Sequence, residues 1–233
     1  MQLFYLENPE KEIILSAEES KHATKVLRKK EGDILNFTDG KGAFYKAEIT
    51  VADTRKCRLE IVSSEQKPKQ HNYYLHIAIA PTKNNNRLEF FLEKATEIGI
   101  KTIQPIICDR SERKILKVER LQKIVTSAAK QSKNFNFPEL KAPISFKSFI
   151  AKETTGNKYI AHCEDESSKK ELYEMGLSKN AEVLILIGPE GDFTPKEIEL
   201  ASSNGFEELS LGESRLRTET AGIVATTLYH TLK

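Results

Sequence analysis

Ile187-Gly188-Pro189-Glu190-Gly191-Asp192 and Leu211-Gly212-Glu213-Ser214-Arg215-Leu216-Arg217-Thr218-Glu219-Thr220-Ala221 are the stretches on which the fold turns. Each follows an apolar run, Glu182–Ile187 for the first and Glu208–Leu211 for the second, and each leads into a segment with helical signals. A nearly continuous apolar run is what a parallel strand buried on both faces requires. Strand, loop and helix, twice over, predict two backbone loops side by side at the carboxyl ends of parallel strands, where open α/β sheets hold small ligands. Glycines at 188 and 191 permit positive φ and close approach of the backbone to a ligand, and Pro189 stiffens the turn between them. A tight strand–helix connection without a ligand is the alternative for this tetrapeptide alone. Neither G-x-x-x-x-G-K-[ST] nor G-x-G-x-x-G occurs, which removes the P-loop and the commonest dinucleotide fingerprint.

The same alternation extends upstream to about residue 74. Tyr74–Ala80 and Thr102–Cys108 read as strands. Between them Arg87–Ile98 reads as a helix, with Leu88, Phe91, Leu92, Ala95 and Ile98 on one face and Gly99 as its stop. Val118–Lys130 is a second helix, Lys158–Cys163 a strand, and Lys169–Met175 a short helix. Thr194-Pro195-Lys196-Glu197 is a capping box with proline at the first helical position, and that helix should end at Gly205. Thr218–Leu232 is the last helix. This order argues for an α/β domain with a mainly parallel sheet.

The first 65 or so residues differ. Leu3–Leu6 is a short strand, and Ser16-Ala17-Glu18-Glu19 starts a helix that should run to about Lys29. Ile34–Thr38 and Ala43–Val51 flank Asp39-Gly40-Lys41-Gly42, a hairpin signal. Arg58–Val62 alternates with period two. These elements make a small β-barrel or sandwich with one helix. The polar, proline-containing Glu65–Gln70 is the best linker, so the expected domains are 1–70 and 71–233.

Composition narrows the function classes. The chain is 39% hydrophobic and 30% charged, as globular proteins are. No apolar run approaches the roughly 18 residues of a membrane span, and the start has no basic-then-apolar signal peptide. A cytoplasmic protein without a membrane partner is expected. Cys57, Cys108 and Cys163 are widely spaced and form no C-x-x-C, which predicts neither disulfide nor zinc. His71, His76 and His230 show no metal-ligand pattern, so no metal is expected. The net charge of +2 hides an asymmetry: residues 110–141 carry 9 basic and 3 acidic side chains, whereas 142–233 carry 10 and 15. Local excess of that size is a footprint for a polyanion, with a solvated helix face as the equal alternative.

The second loop adds chemistry. Leu211 and Leu216 could sandwich a flat ring, and Thr218 is a plausible helix N-cap. Small Ala221 and Gly222 would let the last helix approach a neighbour. Arg217 offers fixed, permanently charged donors, and Glu190 and Glu219 offer carboxylates. A local Arg217–Glu219 ion pair steadying the helix start is the plainer reading.

Together with Lys21–Arg28, with Glu93-Lys94-Ala95-Thr96-Glu97-Ile98-Gly99, and with Ala128-Ala129-Lys130-Gln131-Ser132 followed by Pro138, the two loops make the sequence resemble the SPOUT-type RNA methyltransferases. More narrowly, it resembles the bacterial family that methylates N3 of a uridine in small-subunit (16S) ribosomal RNA. The resemblance runs the whole length. It implies a PUA-like β-barrel followed by an α/β domain whose C-terminal segment threads a deep trefoil knot, a topology general rules make very rare. It also implies S-adenosylmethionine as cofactor, held by Ile187, Gly188, Pro189, Gly191, Leu211, Gly212, Leu216 and Thr218, with the loop around His162-Cys163-Glu164 bordering the pocket. Two chains would pair as a homodimer, acting on small-subunit ribosomal RNA in an assembled or assembling particle. Asp192 stands where the family usually has another glycine, Lys133 where an arginine is common, and Lys83–Arg87 is unusually rich in asparagine.

Methyl transfer to a uridine N3 needs positioning, removal of the N3 proton by a base and stabilisation of the charge left on the flanking carbonyls. Arg217 is the candidate for the charge and Glu219 or Glu190 for the base. RNA contacts are expected from His22, Arg28, Lys29, Lys30, Arg110, Arg113, Lys114, Lys130 and Lys133, although for His22 packing within its amphipathic helix is the favoured reading. Two alternatives stay open: the same chemistry at another ribosomal or transfer RNA site, and a non-catalytic RNA-binding assembly factor.

Overall fold

The computed structural model describes residues 2–68, 74–152, 156–164, 169–175 and 181–231; His71 and the end of the expected linker lie outside these. The chain divides into two compact units. One lies within Met1–Gln70 and takes in Ala129–Phe137; the other lies within His71–Ala128 and Pro138–Lys233.

The first unit is a five-stranded sheet of β1 (Leu3–Tyr5), β2 (Glu12–Ile14), β3 (Ile34–Thr38), β4 (Ala43–Val51) and β5 (Arg58–Gln66), ordered β1-β3-β4-β5-β2. The β3–β4 hairpin forms where the Asp-Gly signal predicted it. Alternate residues of these strands, among them Phe4, Leu35, Phe37, Ala47, Ile49 and Leu59, point into one core, as period-two side chains must. The expected helix is cut short. Ser16 caps α1 (Ala17–Lys21) through its side chain, but His22–Val26 widens into a π-turn. The Lys29 N–H bonds back to the Ala23 carbonyl at 3.0 Å across Arg28, which sits at φ 55°. That left-handed residue ends the helix as a glycine ordinarily would, and no glycine occurs before Gly32 to give the stop away.

Residues 129–137 join this unit through the hairpin turn. Gly42 N–H bonds the Phe135 carbonyl and Phe137 N–H bonds the Gly40 carbonyl, both at 2.8 Å. Phe135 stands edge-on to Phe44, and Phe137 stacks on Tyr5. At Gly40 a Cβ would stand 3.0 Å from the Phe137 ring, which accounts for glycine there.

The second unit contains β6 (Leu75–Ile79), β7 (Thr102–Ile107), β8 (Glu139–Leu140), β9 (Ile144–Ser145), β10 (Asn157–Ala161), β11 (Lys170–Glu171), β12 (Val183–Ile187) and β13 (Glu207–Ser210). The order is β11-β13-β10-β12-β6-β7-β8, with β9 on β7. Every pairing among the described residues is parallel. Helices α2 (Asn85–Ile98), α3 (Val118–Gln131), α4 (Phe146–Ile150), α5 (Pro195–Ser203) and α6 (Thr218–Thr231) complete it. The central strand β12 is buried at all five positions. Val183, Ile185 and Ile187 face a core shared with α2 and α6. Leu184 and Leu186 face the other core, with Phe146, Phe149, Phe193 and Ile198. Burying each of these aliphatic side chains is worth about 1.5–3 kcal/mol.

Gly222 in α6 is where that helix meets α2: a Cβ would come within 2.5 Å of the Phe91 ring. The segment read as a helix at Lys169–Met175 is instead a two-residue strand on β13 followed by a single 3-10 turn, Leu172–Met175. Within that turn Leu172 is buried while Tyr173 beside it is exposed. Four short elements, β2, β8, β9 and α4, are additional to those expected.

Candidate active site

In a parallel sheet all carboxyl ends lie along one edge. The neighbours β13, β10 and β12 therefore place three loops together there: 211–217, 162–164 and 188–194. The segment after β6, Ala80–Asn84, is next in line, because β6 pairs with β12.

Side chains hold the first loop rigidly. Glu190 accepts the Lys83 backbone N–H at 2.9 Å. Arg110 donates to the Gly191 and Phe193 carbonyls at 2.8 and 3.1 Å. Asp192 accepts the Cys163 and Phe193 N–H groups, each at 2.7 Å. Thr194 and Glu197 form the predicted capping box, and the other Glu197 oxygen accepts the Asp109 N–H at 2.9 Å. The glycines play a different part from the one expected. Neither Gly188 nor Gly191 has positive φ; the left-handed residue is Asp192, at φ 63°. Its carboxylate bonds two neighbouring N–H groups, as short polar side chains in that region do. Gly188 is needed for space, because a Cβ there would stand 3.1 Å from the Phe193 ring.

The second loop is nearly bare. Gly212 sits at φ 115°, with nothing within 4 Å of where a Cβ would be. Its N–H bonds the Ser210 hydroxyl at 3.2 Å, and residues 212–215 are exposed. The predicted N-cap is corrected: Thr218 is the first residue of α6, and its hydroxyl donates to the Gly188 carbonyl at 3.0 Å. That bond ties the two loops together.

Between the loops lies a cavity in two lobes. The larger, about 510 Å³, is lined by the second loop from Leu209 to Leu216 together with Ala161, His162, Cys163, Lys169 and Glu171. The smaller, about 260 Å³, is lined by Ile187, Gly188, Pro189, Glu190, Arg217 and Thr218, among others. Ala161, Cys163, Arg215, Leu216 and Ala221 border both. The sizes suit a small-molecule ligand, for which roughly 300–1,000 Å³ is usual. Of the residues predicted to hold a ligand, Leu211 and Gly212 line the larger lobe, Leu216 both, and Ile187, Gly188, Pro189 and Thr218 the smaller. Gly191 lines neither lobe and packs on Arg110.

The three catalytic candidates separate. Glu190 and Arg217 face the smaller lobe. Glu219 lies behind it, 7% exposed. The expected Arg217–Glu219 pair is not formed; Glu219 instead faces Arg87, Nε to Oε1 at 3.7 Å. Sequence reasoning passed over Arg215, Lys169 and Arg87. Arg215 lies within the second loop itself, whereas no motif spacing marks Lys169 and Arg87. Lys169 Nζ donates to the His162 carbonyl at 3.0 Å and to that of Glu164. His162 is oriented by Glu208, 3.1 Å from its Nε2. Partial burial, then the Asp192 carboxylate, push the Cys163 thiol up from its ordinary value, with Arg215 and Lys169 pulling against them.

The cations predicted to bind RNA are divided between the units. His22, Arg28, Lys29 and Lys30 belong to the first, and so do Lys130 and Lys133, which the sequence had assigned to the second domain. Lys130 lies 3.4 Å from Glu19 and over the Phe4 ring. Half-buried His22 packs beside the same ring. Arg28 and Lys133 are exposed, both at left-handed φ. Lys30 is also exposed, and Lys29 lies 3.9 Å from Asp33. In the second unit Arg110 is engaged with the first loop, and Arg113 donates to the Thr82 and Lys83 carbonyls. Lys114 is exposed. Among the described residues no cluster could hold a metal ion, and no helix is long and apolar enough to cross a membrane.

This geometry has close counterparts. A family model described as RNA methyltransferase domain matches residues 69–230, and one described as RNA methyltransferase PUA domain matches 15–62. The ribosomal RNA small subunit methyltransferase E of Rickettsia conorii is 32% identical over 216 residues, 91% of this chain and 87% of that protein. A crystal structure of a probable rRNA-methyltransferase from Porphyromonas gingivalis superposes with a TM-score of 0.91 at 42% identity, covering 100% of this chain and 98% of that one. The ribosomal RNA small subunit methyltransferase E of Neisseria gonorrhoeae, bound to S-adenosyl methionine, gives a TM-score of 0.87 at 26% identity, covering 100% and 98%.

Proposed function

The chain belongs to the RNA methyltransferase family, and on that footing we propose that it methylates N3 of a uridine in 16S ribosomal RNA with S-adenosylmethionine as donor. The observation that carries this reading is the two-lobed cavity, with bare backbone along Leu211–Leu216 on one side and Glu190 and Arg217 on the other. The fit to the donor is chemical as well as volumetric. Main-chain groups along the exposed Leu211–Leu216 loop can read the edge of an adenine, Leu211 and Leu216 can flank its ring, and the smaller lobe opens beside the two charged side chains.

Bound S-adenosylmethionine would supply an electrophilic methyl carbon on a sulfonium. The chain's own residues do the rest. Glu190, anchored through one oxygen by the Lys83 N–H, accepts the N3 proton with the other. Arg217 stabilises the negative charge this leaves on O2 and O4 of the base, as fixed donors do in a low-dielectric site. The N3 lone pair then forms the new N–C bond as the C–S bond breaks. Glu190 is preferred to Glu219 as base because it faces the lobe and Glu219 does not.

The reading carries further expectations: a trefoil knot at the two loops, a homodimer, a cytoplasmic location and a small-subunit particle as substrate. RNA would be gripped by Arg28, Lys30 and Lys133 in the first unit and by Lys114 in the second. Phosphate contacts of this kind make affinity fall steeply with salt. The test has two parts. Calorimetry should show S-adenosylmethionine binding, which a non-catalytic assembly factor would lack. Nucleoside mapping of 16S RNA from a deletion strain should show loss of one N3-methyluridine, restored by the purified protein. Loss of a different modified base would reassign the target.

A further inference from the structure

We infer that Glu219 and Arg87 form a positioning pair, in which the buried carboxylate sets the arginine to receive an RNA phosphate beside the proposed base. The inference rests on the methyltransferase reading above. Glu219 follows Thr218, whose hydroxyl holds the Gly188 carbonyl, so its backbone is fixed to the first loop. Arg87 stands in the first turn of α2, just past the segment whose Lys83 N–H holds Glu190. Arg113 braces that segment through the Thr82 and Lys83 carbonyls, and the Asn84 side chain caps α2. Both partners are therefore anchored to the framework that carries Glu190.

Their contact is only half made. Arg87 Nε stands 3.7 Å from Glu219 Oε1, an ion-pair distance but too long for a hydrogen bond. Glu219 Oε2 is buried and has no hydrogen-bond partner. A buried carboxylate oxygen without a donor is costly. A guanidinium has the remedy built in, since two parallel N–H groups match the two carboxylate oxygens. A small movement of Arg87 would complete the fork and satisfy Oε2. Its remaining donors would stay available, because the side chain is 37% exposed. A phosphate on that free edge and the buried carboxylate on the other would hold the guanidinium flat between them. Substrate and Glu219 thus favour the same arginine pose, and each should strengthen the other's grip. Glu219 acts through Arg87 and touches neither lobe of the cavity.

The experiment is a double-mutant cycle on the full-length protein with Arg87→Ala, Glu219→Gln and both together. It measures methylation of small-subunit particles from a deletion strain and S-adenosylmethionine affinity by calorimetry. The pair predicts that each single variant raises KM for the particle about tenfold while kcat at saturation and cofactor affinity stay within about twofold. The double variant should be no worse than either single one. Arg87→Lys should recover only part of the loss, because an ammonium lacks the fork. Additive penalties, or an Arg87→Ala protein with unchanged KM, overturn the pair. So does a Glu219→Gln protein that loses kcat at unchanged KM, which would make Glu219 the base. If Glu219→Gln does not fold, KM for Arg87→Ala and Arg87→Lys decides alone. Wild-type protein that binds no S-adenosylmethionine overturns the methyltransferase reading and this inference with it; active wild type with additive variants overturns the pair only.

Discussion

The two glycine-marked loops look alike in sequence and are built in opposite ways. In the first, Glu190, Arg110, Asp192 and Thr218 pin one backbone group after another. In the second, one bond from Gly212 to Ser210 is the counterpart among the described residues, and the stretch 212–215 faces solvent. A loop closed on itself by side chains is ordered before any ligand arrives. A loop with unpaired main-chain groups still has hydrogen bonds to offer. The first is therefore a braced wall that carries Glu190, the preorganised support that the proposed base would need. The second is the face expected to gain hydrogen bonds when a ligand docks.

This contrast can be broken experimentally, beginning with the largest effect. Asp192→Ala removes the acceptor for two backbone N–H groups and leaves a residue with a Cβ at φ 63°. We expect a loss of about 2–4 kcal/mol in urea unfolding. Asp192→Gly removes only the acceptor and should lose about half as much. Equal losses would show that backbone strain plays no part. Arg110→Ala frees the Gly191 and Phe193 carbonyls and should cost about 1–2 kcal/mol; an unchanged unfolding midpoint would mean the brace is not needed.

The second loop should respond in reverse. Gly212→Ala places a Cβ in open space but at φ 115°. We expect about 1 kcal/mol of stability lost and at least about tenfold in S-adenosylmethionine affinity by calorimetry, roughly 1.4 kcal/mol. Arg215→Ala should leave stability within about 0.5 kcal/mol while weakening ligand binding, since Arg215 borders both lobes. The smallest effect concerns Cys163, which lies between the loops. Its thiol is pushed up by partial burial first and by Asp192 second. Less thiolate is then present at pH 8 than for an ordinary cysteine, and only the thiolate reacts. Alkylation by iodoacetamide should be slow there, should accelerate as pH rises past 9, and should slow further with ligand. Fast labelling at pH 7 would contradict this.

The sequence made the parallel sheet legible because β12 is apolar at every position, whereas a half-exposed strand would alternate. The Asp39–Gly42 hairpin, the Thr194–Glu197 box and the stop at Gly99 were equally plain, each being a short-range signal with its own chemistry. What could not be read was assigned by tertiary contact. Arg28 and Asp192 take a left-handed conformation that glycine signals most plainly. Arg87 meets Glu219 across the chain, and no local pattern announces such a meeting. Lys130 and Lys133 lie beyond the expected linker, yet Asn134-Phe135-Asn136-Phe137 alternates so that its two rings reach the barrel unit.

The hydrogen bond from Thr218 to Gly188 has a consequence for how the protein is made. Synthesis runs from the amino end, so Glu190 and its brace from Lys83 are made before Leu211–Thr218. The side of the cavity formed by Leu211–Leu216 is thus added after the side formed by Ile187–Glu190. A message cut short after α5 would encode nearly all of the buried strands and no enclosure for a donor.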